Sequence, residues 1–261
     1  MLRTTALMGL MTALLVFLGD YLGGSSGMSL MLLVSLAMNF FMYWYSDTMV
    51  IHQYGCVPVT RNEAPELYDI VEKLAARANL PMPKVYVMNS RVPNAFATGR
   101  NPQHAAVCVT TGLMDALTAP EIAGVLGHEM SHILHRDILV GTIAAGRDRD
   151  RQNPIASLLI LILTPLMAMI IQLAISRTRE YMADEAGGAL CGDPDELANA
   201  LEKIDLAAHR TIMAGAQESS AHMFIISPFA GKEAKSLFST HPATEDRIRR
   251  LREQAERMGT R

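Results

Sequence analysis

Residues 124–137 read GVLGHEMSHILHRD, and the pattern H-E-x-x-H inside them decides how the rest of the chain is read. On a helix, positions i and i+4 lie one above the other on the same face. His128 and His132 can therefore aim ring nitrogens at one ion, with Glu129 about 100° around the axis beside it. With 8 histidines in 261 residues, composition alone produces this pattern with a chance on the order of one in a hundred. The helix itself rests on separate signals. TAPEIAGVLGHEMSHILHRD begins with Thr118 and Glu121 in capping-box spacing and Pro120 in the first turn, and Ile122, Val125 and Leu126 supply an apolar face.

A catalytic zinc takes three protein ligands and leaves one position open for water. The candidates for the third are His104, His135, Glu180, Asp184, His222 and His241. His135 shares the face of the other two histidines but lies about 4.5 Å further along an unbroken helix and overshoots. A site using a third His just downstream needs a helix-breaking Gly, which HEMSHILH lacks. Glu180, in SRTREYMADEAGG, is followed one turn later by Asp184. Spacing alone leaves this pair open between a ligand with a supporting carboxylate and an ordinary solvated acidic face.

Upstream, residues 4–19 and 21–46 carry no charged side chain, and Asp20 alone separates them. TTALMGLMTALLVFLG and GMSLMLLVSLAMNFFMYWY each approach the roughly 20 residues a spanning helix needs. The second ends in Tyr43, Trp44 and Tyr45, rings suited to the membrane interface. A cleavable signal peptide is disfavoured, because no A-x-A-like site follows and a second span begins at once. Residues 1–50 are thus expected to form a transmembrane helical hairpin. Its linker DYLGGSSG has no Lys or Arg, whereas Arg3 lies on one flank and Arg61, Lys73 and Arg77 beyond the other, which places both ends in the cytoplasm.

Residues 51–261 have the composition of a soluble domain. Helices are predicted over APELYDIVEKLAARANLP, SRTREYMADEAGGAL, DPDELANALEKIDLAAHR and TEDRIRRLREQAERM. KVYVM and AAVCVTTG read as short strands separated by a turn-bearing stretch. The fold class is mainly α with a small β-sheet, an α+β arrangement. A formal charge of −3 gives no pull toward nucleic acid. Cys56, Cys108 and Cys191 are far apart and in no metal-binding spacing, so they read as small buried hydrophobes in a reducing compartment.

VPNAFATG, GVLGHEMSHILHRD, SRTREYMADEAGG and FSTHPATEDRI, in that order behind an apolar hairpin, resemble the HtpX family of membrane-integrated zinc metalloproteases, relatives of the CAAX-processing zinc proteases. The resemblance implies a gluzincin-type domain holding one Zn2+ per chain through His128, His132 and Glu180, with Glu129 as general base and Asp184 supporting the ligands. It implies an edge strand at Asn94, Ala95 and Phe96 that pairs with extended substrate, and His241 and Arg247 near the site as stabilisers of the oxyanion. Polypeptide substrates follow, damaged or misfolded membrane proteins of the bacterial inner membrane, with a multi-pass chain facing the cytoplasm. A membrane scaffold or adaptor that keeps the fold without turnover is the alternative, and retention of Glu129 argues against it. The oligomeric state is not legible.

Residues 152–176 are uncharged and long enough to span, with Pro165 in their middle. A single crossing there would put Glu180 across the bilayer from His128 and His132. Just upstream, ILVGTIAAG is too short to span, where the family carries a longer apolar run. Residues 138–176 are therefore expected to be a membrane-associated pair of segments that returns the chain to its starting side.

Overall fold

A computed structural model describes residues 2–135, 177–210, 225 and 242–260. The expected membrane-associated stretch at 138–176, and His222 and His241, lie outside these.

The first element, α1 (Leu2–Gln53), is helical throughout except at Gly23 and Gly24, whose dihedrals leave the helical region. Gly24 sits at φ 57°, ψ −148°, a conformation that a side chain disfavours. The chain folds back there. Thr12 in the first arm accepts hydrogen bonds from Ser35 Oγ at 2.7 Å and Asn39 Nδ2 at 2.9 Å in the second. A continuous helix from Met8 to Tyr45, 38 residues, would be about 57 Å long, nearly twice the hydrocarbon thickness. Folded back, each arm matches it. Phe17, Leu22, Leu33 and Phe41 are each more than half exposed to whatever surrounds the hairpin, a surface that water alone would not favour.

Beyond the hairpin the chain continues with β1 (Val57–Pro58), α2 (Pro65–Arg77), β2 (Lys84–Met88), β3 (Ala95–Gly99), a 3-10 turn (Pro102–His104) and β4 (Ala105–Thr110). The four strands lie in the order β1-β2-β4-β3, with β2 and β4 parallel and the outer pairs antiparallel. β4 is central and all six of its residues are buried. The strand expected over AAVCVTTG ends at Thr110, because Thr110 Oγ1 accepts the Leu113 N–H at 3.1 Å and so caps α3 (Thr111–Ala116). The stretch between the expected strands, read from its residues as turn-bearing, contains β3 itself.

Four helices complete the described fold: α4 (Ala119–Leu134), α5 (Arg177–Cys191), α6 (Pro194–Arg210) and α7 (Thr244–Met258). α4 runs through the middle, touching α2, α5, α6, β3 and β4. Its Ile122, Val125, Leu126, Met130 and Ile133 are buried against Leu74, Val107, Leu197 and Leu201, each worth about 1.5–3 kcal/mol relative to exposure. Its first turn is anchored by Glu121, whose carboxylate accepts the Thr118 N–H at 2.8 Å and pairs with Lys203 Nζ at 2.7 Å. Burial pushes the Glu121 carboxyl up, but Lys203 and the Thr118 hydrogen bonds outweigh it and hold the group below its ordinary value. The hairpin meets the sheet through a smaller cluster, in which Val50, Cys56, Phe96 and Cys108 are buried together. Arg100, just past β3, also stacks on Trp44 with its guanidinium 4.6 Å from the ring centroid.

Candidate metal centre and catalytic cleft

His128 and His132 project from one face of α4, and their Nε2 atoms stand 3.2 Å apart. Glu180, in the first turn of α5, completes a triangle. Its Oε2 lies 3.8 Å from His128 Nε2 and its Oε1 lies 3.9 Å from His132 Nε2. All three ligand atoms fall within 4.8 Å of one another. The His128 Nδ1 lies 2.9 Å from Asp184 Oδ1, so a proton on Nδ1 leaves the Nε2 lone pair directed at the centre. Two bonds of about 2.0–2.1 Å at a tetrahedral angle span about 3.3 Å, which matches the 3.2 Å between the two ring nitrogens. The donor set therefore fits a metal ion.

The close meeting of α4 and α5 depends on two glycines. A Cβ on Gly187 would lie 2.5 Å from the His128 nitrogen, and one on Gly127 would lie 2.7 Å from the Gly187 carbonyl oxygen. Ser131, one turn along, is buried in the same seam and donates to the His128 carbonyl at 2.8 Å. With backbone against backbone, Glu180 reaches the histidines from a separate helix. The buried stripe of α5 is Glu180, Ala183, Asp184, Gly187 and Gly188, acidic and small, so the face that sequence alone could not tell from a solvated one is the packed one.

Asp184 is the hinge of the charge arrangement. Arg247 donates to it twice, from Nε to Oδ2 at 2.8 Å and from Nη2 to Oδ1 at 2.7 Å, and its Nη1 donates to the Ile225 carbonyl at 2.7 Å. Asp184 is 2 % exposed and Arg247 1 %. Burial pushes the Asp184 carboxyl up, but the Arg247 guanidinium, aided by the His128 ring, overrides it and holds the pKa at about 2. The resemblance implies Arg247 as a stabiliser of the oxyanion, whereas the structure engages its guanidinium elsewhere. Its nitrogens are turned to Asp184 and a backbone carbonyl, and Asp246 pairs with Arg249. A signal for this existed. Arg247, Leu251, Gln254 and Ala255 form the buried stripe of α7, and an arginine in the core position of an amphipathic helix requires a buried anion.

Glu129 is 7 % exposed, and its Oε2 accepts the Ala97 N–H of β3 at 2.9 Å. That bond, invisible in sequence, joins the carboxylate between the histidines to the outermost strand of the sheet. Asn94 is buried at the start of that strand, its Oδ1 accepting the Ile225 N–H at 3.1 Å. Ala95 and Phe96 are buried as well, Ala95 in the main core and Phe96 in the cluster beneath the hairpin. His135 caps α4 with its Nδ1 2.8 Å from the Ser131 carbonyl, and His104 turns to Asn101. Neither joins the three ligands.

A helix bearing two histidines around a carboxylate, met by a glutamate from a second helix beside a small mixed sheet, is the arrangement of a metalloprotease. The peptidase family M48 profile matches residues 61–255. A protein called Protease HtpX homolog from Syntrophotalea carbinolica is 47 % identical over 273 residues, covering 96 % of this chain and 97 % of its own. Its namesake from Methylibium petroleiphilum is 46 % identical, covering 96 % of each. A crystal structure of Ste24p from S. mikatae superposes with a TM-score of 0.54 at 20 % identity, over 96 % of this chain and 65 % of that one, and shares the fold. The chain belongs to peptidase family M48, among its HtpX proteases. It is a membrane metalloprotease acting on polypeptides.

Proposed function

We propose that the chain is a zinc-dependent endopeptidase holding one Zn2+ through His128, His132 and Glu180, with Glu129 as general base. The observation that carries this reading is the meeting of those three ligands from two helices with Glu129 already bonded to the sheet edge. When bound, the metal supplies Lewis acidity to water and to the substrate carbonyl. Asp184 keeps the His128 ring in the tautomer that ligates, and Arg247 positions Asp184. Glu129 takes the proton of the attacking water and passes it to the leaving amine.

Substrate lies extended along β3, gripped through its backbone beside Asn94, Ala95 and Phe96. A grip on backbone accepts many sequences, which suits damaged or misfolded membrane proteins. His241 retains the role of oxyanion donor. The hairpin anchors the chain in the bacterial inner membrane with the cleft on the cytoplasmic side. Because Glu180 shares a site with His132, Leu134 and Arg177 stand on the same side of the membrane. Labelling of cysteines placed near Leu134 and Arg177 from opposite sides, in active protein, would refute that topology.

The central test is zinc content together with cleavage of casein or a membrane protein, parent against Glu129→Gln. Zinc is retained and turnover drops by about 10²–10⁴. Unchanged turnover with zinc bound removes Glu129 as base, and a parent without zinc removes the site.

A further inference from the structure

Cys56 and Cys108 are 52 residues apart, yet their sulfurs are 2.9 Å apart in the core. Cys56 follows the end of the hairpin, its N–H donating to the Ile51 carbonyl at 2.9 Å. Cys108 is on the central strand, directly across from Phe96 of β3. Val50 and Phe96 close over the pair, and Tyr54 packs on Phe96 with ring centroids 5.7 Å apart. Both thiols are free. We propose that these two cysteines form a reversible intramolecular disulfide under peroxide, a redox-sensitive staple between the membrane hairpin and the catalytic sheet.

The geometry favours this over two inert core residues. A disulfide requires sulfurs about 2.05 Å apart, so closure moves them by roughly 0.9 Å. The thiols are not equivalent. The hydrogen bond from Cys108 lowers the Cys56 pKa against the opposing effect of burial, while the same bond and burial raise that of Cys108. Cys56 is also the more exposed, at 9 % against 1 %. Cys56 is thus the attacking thiolate and Cys108 the resolving thiol. The Cys56 sulfur attacks one peroxide oxygen, the O–O bond breaks, and the departing oxygen leaves as water once protonated. The Cys108 sulfur then attacks the Cys56 sulfenic sulfur, forming S–S as the S–O bond breaks, and the hydroxide leaves as a second water with the Cys108 proton. In sum two thiols lose two electrons and two protons, and hydrogen peroxide is reduced to two waters. The staple joins the chain at the cluster that Phe96 of β3 shares with both cysteines.

The test uses the full chain in detergent, treated with dilute hydrogen peroxide, then alkylated after denaturation and mapped by mass spectrometry without reduction. Expected are loss of the Cys56 and Cys108 thiols, one cross-linked peptide containing both, a raised thermal midpoint, and reversal of all three by dithiothreitol. Cys191→Ser leaves the cross-link intact. Cys56→Ser, at the margin of the cluster, abolishes it. Cys108→Ser leaves a sulfenic acid on Cys56 that dimedone traps. Two thiols still open to alkylation, a cross-link through Cys191, or a cross-linked chain with an unchanged midpoint would each overturn the proposal. None of these readouts depends on the chain's own peptidase activity.

Discussion

Among the described residues, the polar contacts of the hairpin and those of the cleft follow different rules. In the hairpin, Thr12, Ser35 and Asn39 meet as neutral groups, and Thr12 returns its own hydroxyl proton to the Met8 carbonyl at 2.9 Å. Nothing there carries charge, so nothing further is needed from the rest of the molecule. In the cleft, Glu129, Glu180, Asp184 and Arg247 are all buried, and each ionised group requires a partner supplied from elsewhere. Asp184 on α5 takes Arg247 from α7 and His128 from α4. Neutral clamps are local and modest, whereas a charged cluster binds distant elements into one unit and fails as one.

That contrast is broken most directly at Arg247. Arg247→Leu leaves Asp184 buried without its cation and should cost about 3–5 kcal/mol, read as a fall in the unfolding midpoint, with the double variant carrying Asp184→Asn recovering part. A single variant as stable as the parent would mean that Asp184 is not held as an anion. Next comes the seam that brings the charges together. Gly187→Ala forces α5 from α4 and should cost about 1–3 kcal/mol, with weakened zinc retention as Glu180 withdraws. Full zinc affinity in that variant would show that Glu180 does not depend on the close crossing.

A smaller effect separates the charged domain from the neutral hairpin by pH. Glu121 is held below its ordinary value in the fold, so its contribution is complete above about pH 4.3 and is lost as pH falls through the lower folded value. The parent should therefore lose stability on acidification more steeply than Glu121→Gln, by about 1 kcal/mol at most given the exposure of Lys203. Parallel acid curves for the two proteins would count against it. Smallest is Thr12→Val, which removes the shared hydroxyl of the hairpin and should cost about 0.6 kcal/mol without altering zinc content. A large loss of zinc in that variant would erase the distinction between the two regions.

Much of the scaffold was legible because it follows from local periodicity. KVYVM and TEDRIRRLREQAERM coincide with β2 and α7, and the Asp193 start of DPDELANALEKIDLAAHR agrees with its Oδ1 accepting the Asp195 N–H at 3.0 Å. The boundary of α2 was clear for the same reason, with Asn79 in the left-handed region at φ 51° before Pro81. The strand Ala95–Gly99 was hidden from a residue-by-residue reading because the turn formers around it dominate the window, and because its stability comes from pairing with β4. The role of Arg247 was hidden for a related reason. Charge alone suggests a solvated face, and only the stripe shared with Leu251 and Ala255 shows that it is inside.

The residues proposed to do the chemistry were marked by sequence because the two candidate ligands and the proposed base lie within one helix and obey a fixed repeat: i and i+4 share a face whatever the rest of the chain does. The apolar hairpin with its long uncharged runs was marked for the same reason, being a property of composition over a short window. Only tertiary structure could decide that Glu180 reaches the histidines, that Arg247 serves Asp184, that Glu129 touches Ala97 and that Cys56 lies on Cys108. Each is a contact between segments distant along the chain. Such contacts are set by how closely helices and strands can approach, at Gly127 and Gly187 above all, and by the need of every buried charge for a partner.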